Sequence, residues 1–290
     1  MSNSPCGLIR PLATYTFYSV LTFLFWNLSK KPLTTRIARL ATAYEVDVFI
    51  FTECTIRATE MLEALNTNVD NTFHLTDSLC DEIVIYTRFS SEFLTKYNES
   101  GRYSIRRLAL PGRPDILVAS VHLPSQLFSS VDSLSFECAR FADAIRKAEL
   151  GIGHARTVVA GDFNLNPFES GMIGALSLHG VMSRDVAEKG SRIVQGEKYP
   201  FLYNPMWSHF GDRSSKPPGT YFYERAEQNV FFWNMFDQVL IRPDLLEMFD
   251  SKDLEILTDD GEDTLLQANG RPDHSDGSDH LPVLFRLDLR

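Results

Sequence analysis

The sequence predicts an α/β fold in which mixed β-sheets are stacked in layers. Short apolar runs typical of strands alternate with amphipathic helical stretches along most of the 290 residues. Several consecutive strands follow one another with no helix between them, which indicates antiparallel neighbours within the sheets. No segment has the composition of a linker between two domains. The pattern therefore favours a layered sandwich over a purely parallel, doubly wound sheet.

The predicted strands are runs rich in β-branched and aromatic residues. In chain order they cover residues 20–26, 46–52, 83–87, 103–110, 116–122, 157–160, 235–241 and 281–287. Gly161 is expected to break the sixth of them. Apolar residues at helical spacing predict helices over residues 34–44, 55–65 and 131–150. A segment rich in proline, glycine and aromatic residues, 199–228, is predicted to be irregular.

The first strand lies in an uncharged segment between Arg10 and Lys30 that has a membrane span as its alternative interpretation. A span needs about 20 mostly apolar residues, and this segment contains a proline, an asparagine and several hydroxyl residues. We therefore predict a buried strand, an N-terminal extension over residues 1–18 and one domain over residues 19–290. Four cysteines without zinc-type spacing favour a reducing compartment, and hence a cytoplasmic location.

Polar side chains lie at the ends of nearly all the predicted strands. A single such residue is usually part of a turn or a cap. Strands of one sheet can, however, bring their ends together at one edge, where ligand sites are commonly built. The sequence therefore predicts a site formed by eight side chains: Asn27, Glu53, His122, Asp162, Asn164, Asp237, Asp279 and His280.

The residue types in this set suit hydrolysis of a phosphate ester. Glu53, Asp279 and the Asn27 amide are hard oxygen ligands, which favour Mg²⁺ or Mn²⁺ over zinc. A metal ion held by them would neutralise phosphate charge and stabilise the leaving oxygen. Asp162 can polarise a water molecule, and Asn164, two residues further on, points the same way if the backbone is extended.

The two histidines of the set complete this chemistry. His280 beside Asp237 predicts a carboxylate–imidazole pair, in which the carboxylate fixes the tautomer and favours the charged ring. His122 ends the strand ILVASVH, and packing in the core is its alternative role.

The strings GDFNLNP, SDHLPV and FDQVLI, together with the strand-ending Asn27 and Glu53, resemble the endonuclease/exonuclease/phosphatase superfamily. The motifs occur in the family's order and span residues 20–290. The resemblance implies the DNase-I-like fold, a four-layered α/β sandwich with two mixed β-sheets packed face to face and helices outside. It also implies a Mg²⁺-dependent hydrolase of phosphate esters, with Asn27, Glu53 and Asp279 at the metal and His122, Asp162, Asn164, Asp237 and His280 in catalysis.

The branch of the family is less well defined than the family itself. The chain lacks the strings typical of inositol-polyphosphate phosphatases and of abasic-site endonucleases, and no signal peptide of the kind found in many sphingomyelinases is evident. A nuclease or phosphodiesterase acting on nucleic acid is the favoured function. The alternatives are a phosphomonoesterase, a lipid phosphodiesterase, or a non-catalytic binding protein on the same scaffold.

Four further residues are candidates for substrate binding. Relatives often place an arginine from the strand before His122 against phosphate, and Arg106 or Arg107 would take that role here. Trp207 and Tyr221 lie in a segment that mixes aromatic and cationic residues, which suits the stacking of single-stranded bases. Packing within the second sheet explains these aromatic residues at least as well.

The acidic charge of the chain is concentrated in one segment. The formal net charge is −10, and residues 244–279 contain 12 acidic and two basic side chains. We predict that the run 250–263 is a solvated, mobile loop beside the site. Such a loop would repel a long duplex, so short or single-stranded nucleic acid is the expected partner, bound with modest salt dependence.

Overall fold

The computed structural model describes residues 19–67, 72–127, 129–212, 216–226, 228 and 230–290. The extension predicted at residues 1–18 lies outside them. The first half of the chain forms β1 (Val20–Asn27), α1 (Thr34–Ala43), β2 (Val48–Thr52), α2 (Ala58–Leu65), β3 (His74–Leu75), β4 (Ile83–Thr87), β5 (Leu94–Glu99), β6 (Tyr103–Leu108), β7 (Ile116–His122) and α3 (Val131–Ile152). The second half forms β8 (Thr157–Asp162), α4 (Ser170–Ile173), β9 (Gly180–Val181), α5 (Arg184–Ala187), β10 (Ser191–Val194), β11 (Glu197–Pro200), β12 (Leu202–Tyr203), β13 (Tyr221–Phe222), β14 (Trp233–Asn234), β15 (Asp237–Ile241), β16 (Leu254–Ile256) and β17 (Val283–Asp288).

The strands build two large mixed sheets. One has the order β16-β17-β1-β2-β4-β3 and the other the order β5-β6-β7-β8-β15-β12-β9. Three pairs of neighbours, β1 with β2, β7 with β8 and β9 with β12, are parallel, and the remaining neighbours are antiparallel. Two short hairpins, β10-β11 and β13-β14, stand outside both sheets.

Side chains on the two faces of the seven-stranded sheet belong to different cores. Val158 and Val239 pack in the core that also contains β1, β2 and β17. Val159 and Leu240, their neighbours in sequence, pack with the apolar face of α3. Because side chains alternate along a strand, one face of this sheet covers the six-stranded sheet and the other is covered by α3. The predicted four-layered α/β sandwich is confirmed.

The uncharged segment before Lys30 is a central strand. β1 lies between β17 and β2, and each of its residues after Val20 is buried. Within the described residues, no helix combines the length and the apolar character that crossing a membrane requires. The predicted buried strand is therefore confirmed.

Two predictions at glycines are wrong. β8 does not end at Gly161 but continues through it to Asp162. A Cβ atom at position 161 would lie 2.3 Å from the carbonyl oxygen of Val121, so the glycine permits the close approach of β7. Likewise, α3 continues past Gly151 to Ile152, and Gly153 ends it in the left-handed conformation with a φ of 83°.

The acidic segment is not a solvated loop throughout. Asp260 is fully buried and accepts a hydrogen bond of 2.9 Å from Nη1 of Arg36 on α1. The same arginine donates through Nη2 to Oδ2 of Asp276 at 2.6 Å. Burial alone would raise the pKa of Asp260, but backbone donors and both Arg36 and Arg39 lower it. Part of the acidic surplus therefore holds this segment to α1 through ion pairs.

Changing Arg36 to methionine should destabilise the fold by about 2 kcal/mol. The substitution leaves the Asp260 carboxylate buried without its main cation, although two backbone N–H groups and Arg39 still compensate part of its charge. The expected loss in Tm is roughly 5 °C by calorimetry. Arg39→Met is the matched control, because its other partners are exposed; an equal loss in both variants would contradict the assignment.

Candidate active site

The eight strand-end side chains come together at one edge of the sandwich, around a cavity of about 740 Å³. Strand register explains the convergence, because His122 pairs with Asp162 and Asp162 pairs with Asp237 across neighbouring strands. Asp237 lies behind His280, and the other seven line the cavity: Asn27, Glu53, His122, Asp162, Asn164, Asp279 and His280.

Asp162 is held by one donor from β1 and one from the loop that follows β8. The Asn27 amide on β1 donates to Oδ2 of Asp162 at 2.9 Å, and the backbone N–H of Asn164 donates to Oδ1 at 2.9 Å. Asn164 is not in the extended conformation expected from its spacing, because its φ is 49° and its amide donates to the carbonyl of Leu123. The carboxylate is 1% exposed and has a fixed orientation at the cavity wall.

His280 and Asp237 form a buried pair. Nδ1 of His280 lies 2.8 Å from Oδ2 of Asp237, and the indole N–H of Trp26 donates to the His280 carbonyl at 2.8 Å. Burial alone would lower the pKa of His280, but the Asp237 charge and hydrogen bond, with smaller contributions from Asp162 and Asp279, raise it to about 10. Nδ1 of the ring is directed at Asp237, and the negative charges around the ring favour its protonated form.

Asp162, Asp237 and His280 also have ligating atoms within 4.8 Å of one another, which is the spacing of a metal site. The hydrogen bond of 2.8 Å between Nδ1 of His280 and Oδ2 of Asp237 accounts for the close approach of these two residues without a metal ion.

His122 has a carboxylate partner that the sequence did not reveal. Its Nδ1 lies 3.0 Å from Oε2 of Glu82, and its Nε2 lies 3.7 Å from Oε1 of Glu53 and 3.8 Å from Oδ2 of Asp162. Glu82 is in turn 3.9 Å from Nη1 of Arg102. Both histidines of the site therefore have one ring nitrogen held by an acid.

Three of the predicted substrate contacts lie outside the cavity lining. Arg106 is buried and donates to Oε1 of Glu99 at 2.6 Å. Arg107 donates to Oδ2 of Asp115, the residue just before β7. Trp207 packs near Phe168 instead, at 6.3 Å between ring centroids. None of the three partners, Glu99, Asp115 and Phe168, lines the cavity, so the structure places Arg106, Arg107 and Trp207 away from it.

Arg102 lines the cavity where Arg106 or Arg107 was expected. It directly precedes β6, and its carbonyl accepts a hydrogen bond of 2.9 Å from the N–H of His122. Because β6 and β7 are antiparallel, the start of β6 lies beside the end of β7. The same rule places Glu82, just before β4, beside the end of β2. Antiparallel pairing locates both residues once the neighbouring strands are known.

Half of the eight non-glycine residues with a positive φ among the described residues lie at the site. Ser29, Lys30, Glu53 and Asn164 all have positive φ values, between 48° and 59°, although none is a glycine. Such residues are uncommon and cost free energy that the surrounding structure must offset. All four line the cavity, which is the distribution expected of a functional site.

The residues present fit a divalent cation. Oδ1 of Asp279 is buried, and it has no hydrogen-bond partner among the described residues. Glu53 and Asn27 line the same cavity. Oδ1 of Asn27 accepts a hydrogen bond of 2.9 Å from the N–H of Ser29 and keeps one lone pair, so two carboxylates and an amide oxygen can serve as metal ligands. Hard oxygen donors of this kind suit Mg²⁺ or Mn²⁺.

No protein-family model matches the chain, and no curated protein matches it. Solved structures do resemble it in fold. The endonuclease domain of TRAS1, a telomere-specific non-LTR retrotransposon, is similar with a TM-score of 0.53 and 14% identity, over 93% of this chain and 99% of that one. D. rerio TDP2, complexed with a single-strand DNA product, has a TM-score of 0.51 and 15% identity over 93% and 99%.

A third structure names the fold class directly. An endonuclease/exonuclease/phosphatase family protein from Leptotrichia buccalis C-1013-b has a TM-score of 0.53 and 13% identity, over 92% of this chain and 99% of that one. The chain therefore has the DNase-I-like fold of the endonuclease/exonuclease/phosphatase superfamily, and the resemblance in its sequence motifs is confirmed at the level of fold.

Proposed function

We propose that this protein is a metal-dependent phosphodiesterase that hydrolyses short or single-stranded nucleic acid. The observation that carries the proposal is the arrangement around Asp162, which lies between two acid-paired histidines in a cavity lined with oxygen donors. The similar structures support it, because one is an endonuclease domain and another is bound to a DNA product.

In the proposed reaction, water attacks the phosphorus in line with the leaving oxygen. Asp162 is the group that orients and deprotonates this water, because each of its oxygens keeps a lone pair beyond the donors that hold it. Asn164 lies at the same wall and orients the water or the phosphate.

The histidines stabilise the phosphate oxygens from two sides. His280 is kept protonated by Asp237, so its remaining N–H can donate to a phosphate oxygen or to the leaving group. His122 is held through Nδ1 by Glu82, which leaves Nε2 facing Glu53 and Asp162. We assign stabilisation and proton donation to the two rings jointly.

Glu53 and Asp279, with Asn27, would hold Mg²⁺ or Mn²⁺. When bound, the ion would supply positive charge for the phosphate oxygens and for the leaving oxygen.

The charge of the cavity leads to a prediction for binding. Among the lining residues that the structure describes, the permanent cations are Lys30 and Arg102, against five carboxylates. With roughly two phosphate contacts, log K for a single strand should fall against log salt with a slope of about −1.4. Titrations of a labelled oligonucleotide at several salt concentrations would measure it; a slope steeper than about −4 would contradict a short binding site.

A substrate panel tests the proposed function. Purified protein with Mg²⁺ or Mn²⁺ should be compared on single-stranded DNA, duplex DNA, RNA, inositol phosphates and sphingomyelin. We expect release of nucleotides or short oligonucleotides from single strands, and weaker activity on duplex. Hydrolysis of inositol phosphates or sphingomyelin alone would assign the site to a phosphomonoesterase or a lipid phosphodiesterase. Binding without hydrolysis of any substrate would favour a non-catalytic binding protein.

A further inference from the structure

We propose that the His280 side of the cavity is a stacking subsite for a nucleobase next to the scissile phosphate. The inference rests on the proposed function and assigns the part of the substrate that this wall receives. A row of aromatic rings begins beside the reacting centre, where the Tyr221 ring is tilted by 38° against the His280 ring. Tyr221 lies 4.7 Å from the His280 ring, 5.3 Å from Phe236 at 24° and 6.5 Å from Tyr223 at 23°, measured between ring centroids.

The local backbone explains why these rings face the cavity. Tyr221 and Tyr223 are two residues apart along extended backbone, so they share a face. Phe222, between them, lies on the opposite face, where the guanidinium of Arg271 covers its ring at 3.9 Å. Arg271 also pairs with Glu224 at 2.7 Å, which holds the segment after β13 from its outer side.

The segment is also fixed at its base. The backbone of Tyr221 forms a β-bridge with His280, and the N–H of Leu281 donates to the carbonyl of Thr220 at 2.8 Å. The position of the Tyr221 ring is therefore tied to the position of the His280 ring. A group that stacks on the row is placed directly beside the phosphate that His280 contacts.

The two sides of the reacting centre differ in chemistry. The His122 ring contacts Glu82, which lies 3.9 Å from Arg102. The His280 ring contacts Asp237 and also the ring of Tyr221. Asp162 lies between them, within 3.8 Å of His122 and 4.8 Å of His280. The His280 side offers an apolar planar surface on which a base gains by leaving water.

The occupant that fits is the base of a single strand. Bases in a duplex are already stacked on one another, whereas an unpaired base can stack on a side chain, and any base has a planar face. The guanidinium of Arg225 lies 5.5 Å from the Tyr223 ring centroid, which adds a cation at the outer end of the row. Stacking of this kind gives little sequence preference.

A chemical double-mutant cycle tests the subsite. The Asp162→Asn variant, which should bind without hydrolysis, is titrated in Mg²⁺ with a fluorescent oligothymidylate of four residues and with versions that carry an abasic residue at each position in turn. We expect one abasic position to weaken binding roughly 10-fold. Adding Tyr223→Leu should weaken binding of the intact strand by a similar factor, and binding of that abasic strand less than twofold.

Two controls separate stacking from damage to the fold. Tyr223→Phe keeps the ring plane and should restore the affinity for the intact strand. Phe136→Leu, at an exposed position on α3 outside the cavity lining, should change nothing. Equal losses for intact and abasic strands on Tyr223→Leu, or no loss for either, would overturn the subsite. Hydrolysis by the unmodified protein is measured in parallel, because its absence on every substrate would overturn the proposed function while binding still decides the subsite.

Discussion

Changing Asp162 to asparagine should lower kcat for hydrolysis of a simple phosphodiester by about 10³-fold. The amide cannot accept the proton of the attacking water, and the negative charge between His122 and His280 is lost. KM should change much less, because the groups that we assign to phosphate binding are untouched. Initial rates at saturating and at low substrate concentrations would separate the two constants.

The substitution also has a cost in stability, which must be measured separately. Both oxygens of Asp162 accept hydrogen bonds, from Asn27 and from the N–H of Asn164. The amide oxygen of asparagine can replace only one of these acceptors, and its NH2 group cannot accept, so one donor is left unpaired at a cost of about 1–3 kcal/mol. Asp185→Asn on the surface helix α5 is the control. Activity within tenfold of the unmodified protein, with the fold intact, would refute the role of Asp162.

The strands and their polar ends were predictable because both obey local rules. β1, β2, β7 and β8 are buried on both faces and therefore read as continuous apolar runs. A polar residue at the end of such a run stands out. The edge strand β5 was missed because four of its six residues are exposed and polar or aromatic, with no apolar alternation to mark it.

What could not be predicted depends on which strands are neighbours. Arg106 and Arg102 lie four residues apart, and only the antiparallel register of β6 with β7 shows that Arg102 reaches the cavity. Arg106 faces the interior between the sheets, where Glu99 pairs with it. The environment of Asp260 likewise depends on Arg36, more than 200 residues earlier in the chain. Contacts of this range have no signature in a single sequence.

Removing divalent cations with EDTA should abolish hydrolysis, and excess Mg²⁺ should restore it. Glu53, Asp162 and Asp279 place three carboxylates in a cavity that must also receive a phosphate anion. Without a cation, like charges repel the substrate, and the buried Oδ1 of Asp279 has no partner among the described residues to offset its desolvation. Full activity in EDTA would refute metal dependence.

A binding readout makes this test independent of activity. At about 100 times its Kd, Mg²⁺ should stabilise the protein by about 2.7 kcal/mol, a rise in Tm of roughly 5 °C or more. Glu53→Gln and Asp279→Asn should lose most of this rise, whereas Glu60→Gln on α2, outside the cavity lining, should keep it.

Without Mg²⁺, the Glu53→Gln and Asp279→Asn variants should melt above the unmodified protein, because each removes one of the mutually repelling charges. An equal Mg²⁺ shift in all four proteins would place the cation elsewhere. A variant that gains stability in EDTA and loses the response to Mg²⁺ would indicate that these carboxylates are retained at a cost to the fold.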